Sequence, residues 1–178
     1  MAVLKTITGE LVSIDASGLA GIDLSKLNLH RLLCRGRDFS GTDFSGSDLR
    51  NAILDHSRFV RCHFRECSMA CGSFRSASLE HATLEGANLI AANLQGANCQ
   101  SSSFVMAQLE SASFRDANVM GADFSRSVLL DTVWDNAIYD KKTKWPLGFC
   151  PLNSGLVLVE DMDGVPWGQE RNGDNEPD

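Results

Sequence analysis

From Leu24 to Tyr139 every fifth residue is apolar or cysteine, twenty-four positions without a break. The series includes Phe44, Phe64, Leu84, Leu89, Leu94, Phe104, Leu109, Phe114, Phe124 and Trp134. Two residues before each, from Thr42 to Ala137, stands Ala, Ser, Thr, Cys or Gly. Helices bury residues at a period of about 3.6 and strands at about 2, so neither generates this register. A short period held over most of a chain marks a repeat array, whose core is a stack of layers instead of a globule. The apolar residue of each unit and the small residue two places earlier are therefore the predicted core.

The clearest copies run Ala-Thr-Leu-Glu-Gly, Ala-Asn-Leu-Ile-Ala, Ala-Asn-Leu-Gln-Gly and Ala-Asn-Cys-Gln-Ser, from Ala82 to Ser101. Over roughly residues 20 to 141 the sequence resembles the pentapeptide-repeat family. The resemblance implies an all-β fold: a right-handed quadrilateral parallel β-helix, a solenoid in which each unit forms one side and four units form a coil. Twenty-four central residues then make about six coils. Residues 20 apart would stack at the inter-strand spacing of ~4.8 Å. One predicted ladder is Leu24, Phe44, Phe64, Leu84, Phe104 and Phe124; the next is Leu29, Leu49, Met69, Leu89, Leu109 and Leu129. A third stacks Cys34, Leu54, Phe74, Leu94, Phe114 and Trp134, and the fourth Phe39, Phe59, Leu79, Cys99, Val119 and Tyr139. Side-chain size is matched within each ladder, as close packing of repeated layers requires.

The expected organisation is an N-terminal cap at 1–21, the β-helix at 22–141, a C-terminal cap segment at 142–167 and a disordered tail at 168–178. The first coil departs from the small-residue rule at Ile22, Leu27 and Leu32. Arg37 falls where only a small side chain fits, so it should turn outward or mark a bulge. An open last layer needs a cover. Trp145, Leu147 and Phe149 are placed to cap Trp134 and Tyr139, with Pro146 and Pro151 stopping further strand. Residues 155–160 could add one more strand.

A chain of 178 residues fits one domain. The net charge of -7 is spread unevenly: residues 22–140 carry 11 Lys/Arg against 14 Asp/Glu. A solenoid this mildly acidic argues against direct nucleic-acid binding. The N-terminus lacks a basic segment followed by a signal-length apolar stretch, and no run is long enough to span a bilayer. The expectation is a cytoplasmic protein with no membrane partner. Cys34 and Cys99 take the central core position and Cys62 and Cys67 the small inward one, so they read as small hydrophobes.

Motifs for phosphate loops, dinucleotide binding, zinc-dependent proteolysis and nucleophile elbows are missing from the sequence. Cys62, His63, Cys67 and Cys71 crowd together in sequence, but the five-residue frame points Cys62 and Cys67 inward and Cys71 outward. Four ligands at ~2.0 to 2.3 Å from one ion cannot be assembled that way. His30, His56 and His81 fall on different corners. Asp and Asn before the central residue, as at Asp38, Asp43, Asp48, Asn88, Asn93 and Asn98, should bond backbone at the turns. The corner column Arg35, Asp55, Arg75, Gln95, Arg115 and Asp135 alternates partly in sign, as a solvated ion-pair ladder does. Outward apolar residues Ile90, Val105, Met106, Met120 and Leu130 are scattered.

No catalytic, cofactor-binding or metal-binding residue is therefore expected. The expected function is a non-catalytic scaffold or protein-interaction module with an unknown protein partner, either monomeric or an end-to-end homodimer. The resemblance implies an alternative. Some pentapeptide-repeat proteins, the quinolone-resistance Qnr group among them, bind type II topoisomerases such as DNA gyrase and are thought to imitate duplex DNA. Near-balanced charge and an uninterrupted array speak against it here.

Overall fold

The computed structural model describes residues 2–6, 11–14 and 18–159. Its logic is clearest in the backbone hydrogen bonds of one unit. Leu89 N–H donates to the Gln108 carbonyl at 2.8 Å and Ala91 N–H to the Glu110 carbonyl at 2.9 Å, both one coil ahead. Asn93 N–H reaches the Gly72 carbonyl in the preceding coil, and Ala92 N–H closes the corner on the Leu89 carbonyl. The fifth donor, Ile90 N–H, bonds the side-chain oxygen of Asn88 at 3.1 Å. All five donors are used, which is the condition for packing so much backbone against its neighbours.

Successive coils pair in parallel with a fixed offset of 20 residues. One side runs Asp23↔Asp43, Asp43↔His63, His63↔Thr83, Thr83↔Ser103 and Ser103↔Asp123, and the other three sides repeat the pattern. Each 20-residue coil thus has four sides of five residues. From Gly21 to Asn136 each corner is turned by the residue two places after the central one, which takes a left-handed backbone conformation. Gly121 does so at φ 66, where an added Cβ would sit 3.3 Å from Ser101 Oγ. Non-glycine residues accept the same geometry, including Ala91 at φ 55 and Met106 at φ 60.

Inside, the ten core residues named from the sequence are all buried. Phe44 stacks on Phe64 with ring centroids 5.0 Å apart, Phe104 on Phe124 at 4.8 Å, and Phe114 on Trp134 at 4.6 Å. The small inward positions include hydroxyls and thiols that bond the interior carbonyls: Ser47 Oγ to Leu24 O at 2.6 Å, and Cys62 Sγ to Phe39 O at 2.8 Å. At Gly72 even a methyl does not fit, because a Cβ would lie 2.8 Å from the Phe74 ring and 2.9 Å from the Met69 carbonyl.

At the N-terminal end, strand β1 (Ala2–Thr6) pairs antiparallel with β2 (Leu11–Ile14) and with β3 (Leu32–Leu33). Leu4 is buried against the first coil. Arg37 is exposed, with its backbone N–H on Ser57 Oγ at 3.1 Å, so the side chain turns out where the tube has no room for it.

The C-terminal end differs from expectation in two respects. The stacking does not stop at 141: Thr143, Lys144 and Trp145 form another small–polar–apolar set. Lys144 bridges Asp123, an offset of 21, because one extra residue is inserted after Tyr139. Thr143 Oγ1 bonds the Val119 carbonyl at 3.1 Å, and the Trp145 ring stacks on Phe124 at 5.1 Å, continuing the first ladder. Trp145 also meets Trp134 and Tyr139 edge-on, and Phe149 lies 4.9 Å from it. The second departure is Leu147, expected in the cap, which is fully exposed at 106%. It sits in the turn between Pro146 and Phe149, whose N–H bonds the Pro146 carbonyl, and that turn directs it away from the layer.

Beyond a short 3-10 turn at Pro151–Asn153, β5 (Val157–Leu158) pairs parallel with β4 (Ile138–Tyr139) and places Leu156 in the core. The second ladder is less well covered, and its last member Leu129 is only half-buried. The expected tail at 168–178 lies outside the described residues. Among the described residues no helix is long and apolar enough to cross a membrane.

Candidate functional site

Because the interior is filled by repeats, chemistry available to another molecule must sit on the outward positions: the residue before each central one and the two that follow it. The acidic and amide residues before the central position are occupied with their own corners. Asp23, Asn28, Asp38, Asp43, Asp48, Asn93 and Asp123 each accept the backbone N–H two residues on, at 2.8 to 3.2 Å. The Ser40 hydroxyl and then its N–H hold the Asp38 carboxyl below the usual carboxylate range, with Arg58 adding to the effect. At Asp48 the Arg50 guanidinium makes the largest contribution in the same direction.

The corner column shows how charge is arranged along the axis. Asp55 is buried between coils and accepts from Ser73 Oγ at 2.5 Å and Arg75 N–H at 3.1 Å, while Arg35 Nε stands 3.4 Å from its other oxygen. Farther along, Arg115 Nε bonds Asp135 Oδ2 at 3.0 Å. On another corner Arg65 pairs with Glu85 at 2.9 Å. Exposed pairs of this kind contribute about 0 to 1 kcal/mol each, so they serve the solenoid only modestly.

The sulfur groups are spread over inside and outside. Cys62 and Cys67 are buried and donate to carbonyls of Phe39 and Ser47, whereas His63 and Cys71 are exposed. Burial pushes the Cys62 and Cys67 thiols up to about 12, and also raises Cys99 and Cys34. Thiols held protonated in this way are poor nucleophiles and poor metal ligands. Among the described residues no group of three or more His, Cys, Asp or Glu side chains is arranged to hold a metal ion. His63 Nδ1 lies 3.0 Å from Thr83 Oγ1 and His30 Nε2 3.3 Å from Asn51 Nδ2, each a local contact between neighbouring coils.

Exposed apolar residues concentrate toward the C-terminal end. Leu130 is 65% exposed, and Met106 and Val128 about half, while Ile90, Val105 and Met120 are half-buried. The sequence frame marks Met106 and Leu130 as outward. It does not flag Val128, which takes a column filled by Asn, Asp, Ser and Gln in earlier coils.

The repeats are similar to those of known proteins. A pentapeptide repeat region matches residues 57–134, and a profile of eight pentapeptide repeats matches residues 19–55 and 28–65. Among solved structures, a pentapeptide repeat protein from the Arabidopsis thaliana thylakoid lumen is 25% identical. The alignment covers 64% of this chain and 72% of that one, with a TM-score of 0.45. QnrB1, a plasmid-mediated fluoroquinolone resistance protein, is 18% identical over 79% of this chain and 89% of its own, with a TM-score of 0.43. HetL from the cyanobacterium Nostoc sp. strain PCC 7120, involved in heterocyst differentiation regulation, is 17% identical over 80% and 87%, with a TM-score of 0.41. No curated protein matches the chain significantly. With the five-residue register, the 20-residue stacking and the matched repeats together spanning residues 19–134, the chain belongs to the pentapeptide-repeat family.

Proposed function

We propose that this protein is a non-catalytic scaffold or protein-interaction module, a right-handed solenoid of about six coils that presents its corners to a protein partner. One observation carries the proposal: inward groups are consumed by packing and the Asp and Asn side chains before the central position by their own turns, so among the described residues the surface offers shape and charge but no cluster arranged to hold a metal ion. Six free thiols suit a reducing compartment, which favours the cytoplasm. The test is an affinity pull-down from native lysate with the full chain as bait and mass spectrometry as readout. A saturable protein partner is expected. Turnover of a small molecule by the purified chain, with no protein captured, would overturn the proposal.

A second possibility, topoisomerase binding by DNA mimicry, draws on the acidity of residues 76–140, where eight Asp/Glu face two Lys/Arg. A mimic of duplex DNA needs negative charge along the whole rod, and residues 22–75 carry nine Lys/Arg against six Asp/Glu. A DNA gyrase supercoiling assay separates the two: the scaffold proposal expects no inhibition and no protection from quinolones.

A further inference from the structure

The charge reversal along the rod has a local centre. Arg35, Arg37, Arg58 and Arg75 share the corner between the third and fourth sides in the first three coils. The carboxylates among them are already engaged. Asp55 is buried under Ser73, Arg75 N–H and Arg35, and Asp38 is held by the N–H and hydroxyl of Ser40 at 2.9 and 2.6 Å. Arg58 Nε lies 3.8 Å from Asp38 Oδ2, a loose contact with the guanidinium side chain 61% exposed. Arg37 and Arg75 are exposed and make no ion pair with the described residues. Arg37 is the residue that breaks the small-residue rule, and its carbonyl takes the Arg58 N–H at 2.8 Å, which fixes these two arginines side by side.

We infer that this arginine corner is a docking surface for a carboxylate-rich peptide segment of a partner protein. Guanidinium forks bind carboxylates bidentately, and four of them here face two carboxylates whose oxygens are already taken. The patch also has a defined length. Arg35 and Arg75 are two coils apart, about 10 Å, which an extended peptide covers in about three residues. A long polyanion such as a nucleic acid would continue onto residues 76–140, where acidic residues outnumber basic ones by eight to two and repel it. The inference deepens the interaction-module proposal and rests on it, adding the site and the chemistry of the partner.

The probe is a fluorescein-labelled hexaglutamate peptide, titrated with the full chain and read by fluorescence anisotropy. Binding is expected at about 30 mM salt and should weaken strongly by about 300 mM. The double variant Arg37→Ala/Arg75→Ala should bind at least ~10-fold more weakly, and Arg37→Lys/Arg75→Lys, which keeps the charge but loses the bidentate fork, should fall between it and the unmodified chain. Arg126→Ala, on the acidic half, should change nothing. Circular dichroism and melting temperature on each variant confirm that the fold is retained. Absence of hexaglutamate binding, equal binding by the double alanine variant, or tighter binding of hexathymidylate would each overturn the inference. A native partner captured equally by the unmodified chain and the double alanine variant would also remove the arginine corner, yet leave the interaction-module proposal standing.

Discussion

At the scale of single residues, the tube penalises both too little and too much side chain. Phe104 is fully buried and stacked on Phe124, so Phe104→Ala should cost about 3 to 5 kcal/mol in chemical denaturation, since adjoining coils cannot collapse into the void. Gly72→Ala works the other way. Its new methyl would strike the Phe74 ring and the Met69 carbonyl, and a loss of about 1 to 3 kcal/mol is expected. Unchanged stability of Gly72→Ala would mean that the third coil has slack. Asp140 supplies a pH-dependent contribution. Burial alone would raise its carboxyl, but Gly121 N–H, the Thr143 hydroxyl and N–H, and Lys142 N–H outweigh it and hold the group below its usual value near 3.8. A depressed folded-state value means the stabilisation is present above the unfolded value and is lost as pH falls through the folded one. Melting curves between about pH 5 and pH 2 should therefore show Asp140→Asn less acid-sensitive than the unmodified chain, and less stable at neutral pH.

At the scale of the repeat unit, most of the structure is legible in the sequence because each position has a single physical task. Central residues fill the core, small residues admit the opposite wall, and Asp or Asn before the centre pairs the one N–H that the coil ladder leaves over. The left-handed corner left a trace that the five-residue reading did not use: glycine recurs two places after the centre at Gly36, Gly41, Gly46, Gly86, Gly96 and Gly121. What the five-residue register could not carry was the inserted residue before Trp145, since a strict period ends at the first slip. Thr143–Lys144–Trp145 still spells small–polar–apolar, so the hint was present one residue out of frame. Leu147 was assigned to the cap by hydrophobicity alone, and the Pro146 turn sends it to solvent. Truncation after Lys141 removes the Trp145 ring from Phe124 and β5 from β4. Light scattering should then show aggregation or end-to-end association, because unpaired strand edges and aromatic surface are exposed together. A soluble monomer with unchanged melting temperature would show that residues 142–159 contribute nothing to closing the stack.

At the scale of the whole molecule, the interior and the exterior are governed by different rules. The 20-residue register settles what is buried, leaving the outward residues free to vary, and here they grade from basic to acidic along the axis. Function was less legible than fold for that reason: the repeats constrain the core at every unit, whereas an interaction surface obeys only the partner. The arginine corner became visible once Arg35, Arg37, Arg58 and Arg75, up to 40 residues apart in sequence, were brought onto neighbouring coils. All of this depends on the register holding through the array. The decisive measurement is a pulsed electron-spin distance between labels on Arg31→Cys and Asp131→Cys, two exposed corner residues, in a background with exposed Cys71 and Cys150 replaced by Ser. Their neighbours Asn28 through Val128 are linked by successive parallel bridges, so the labels stand five coils apart and should give a narrow distribution near ~24 Å. A broad distribution, or a mean displaced by more than ~10 Å, would contradict the four-sided stack and with it every surface assignment built upon it.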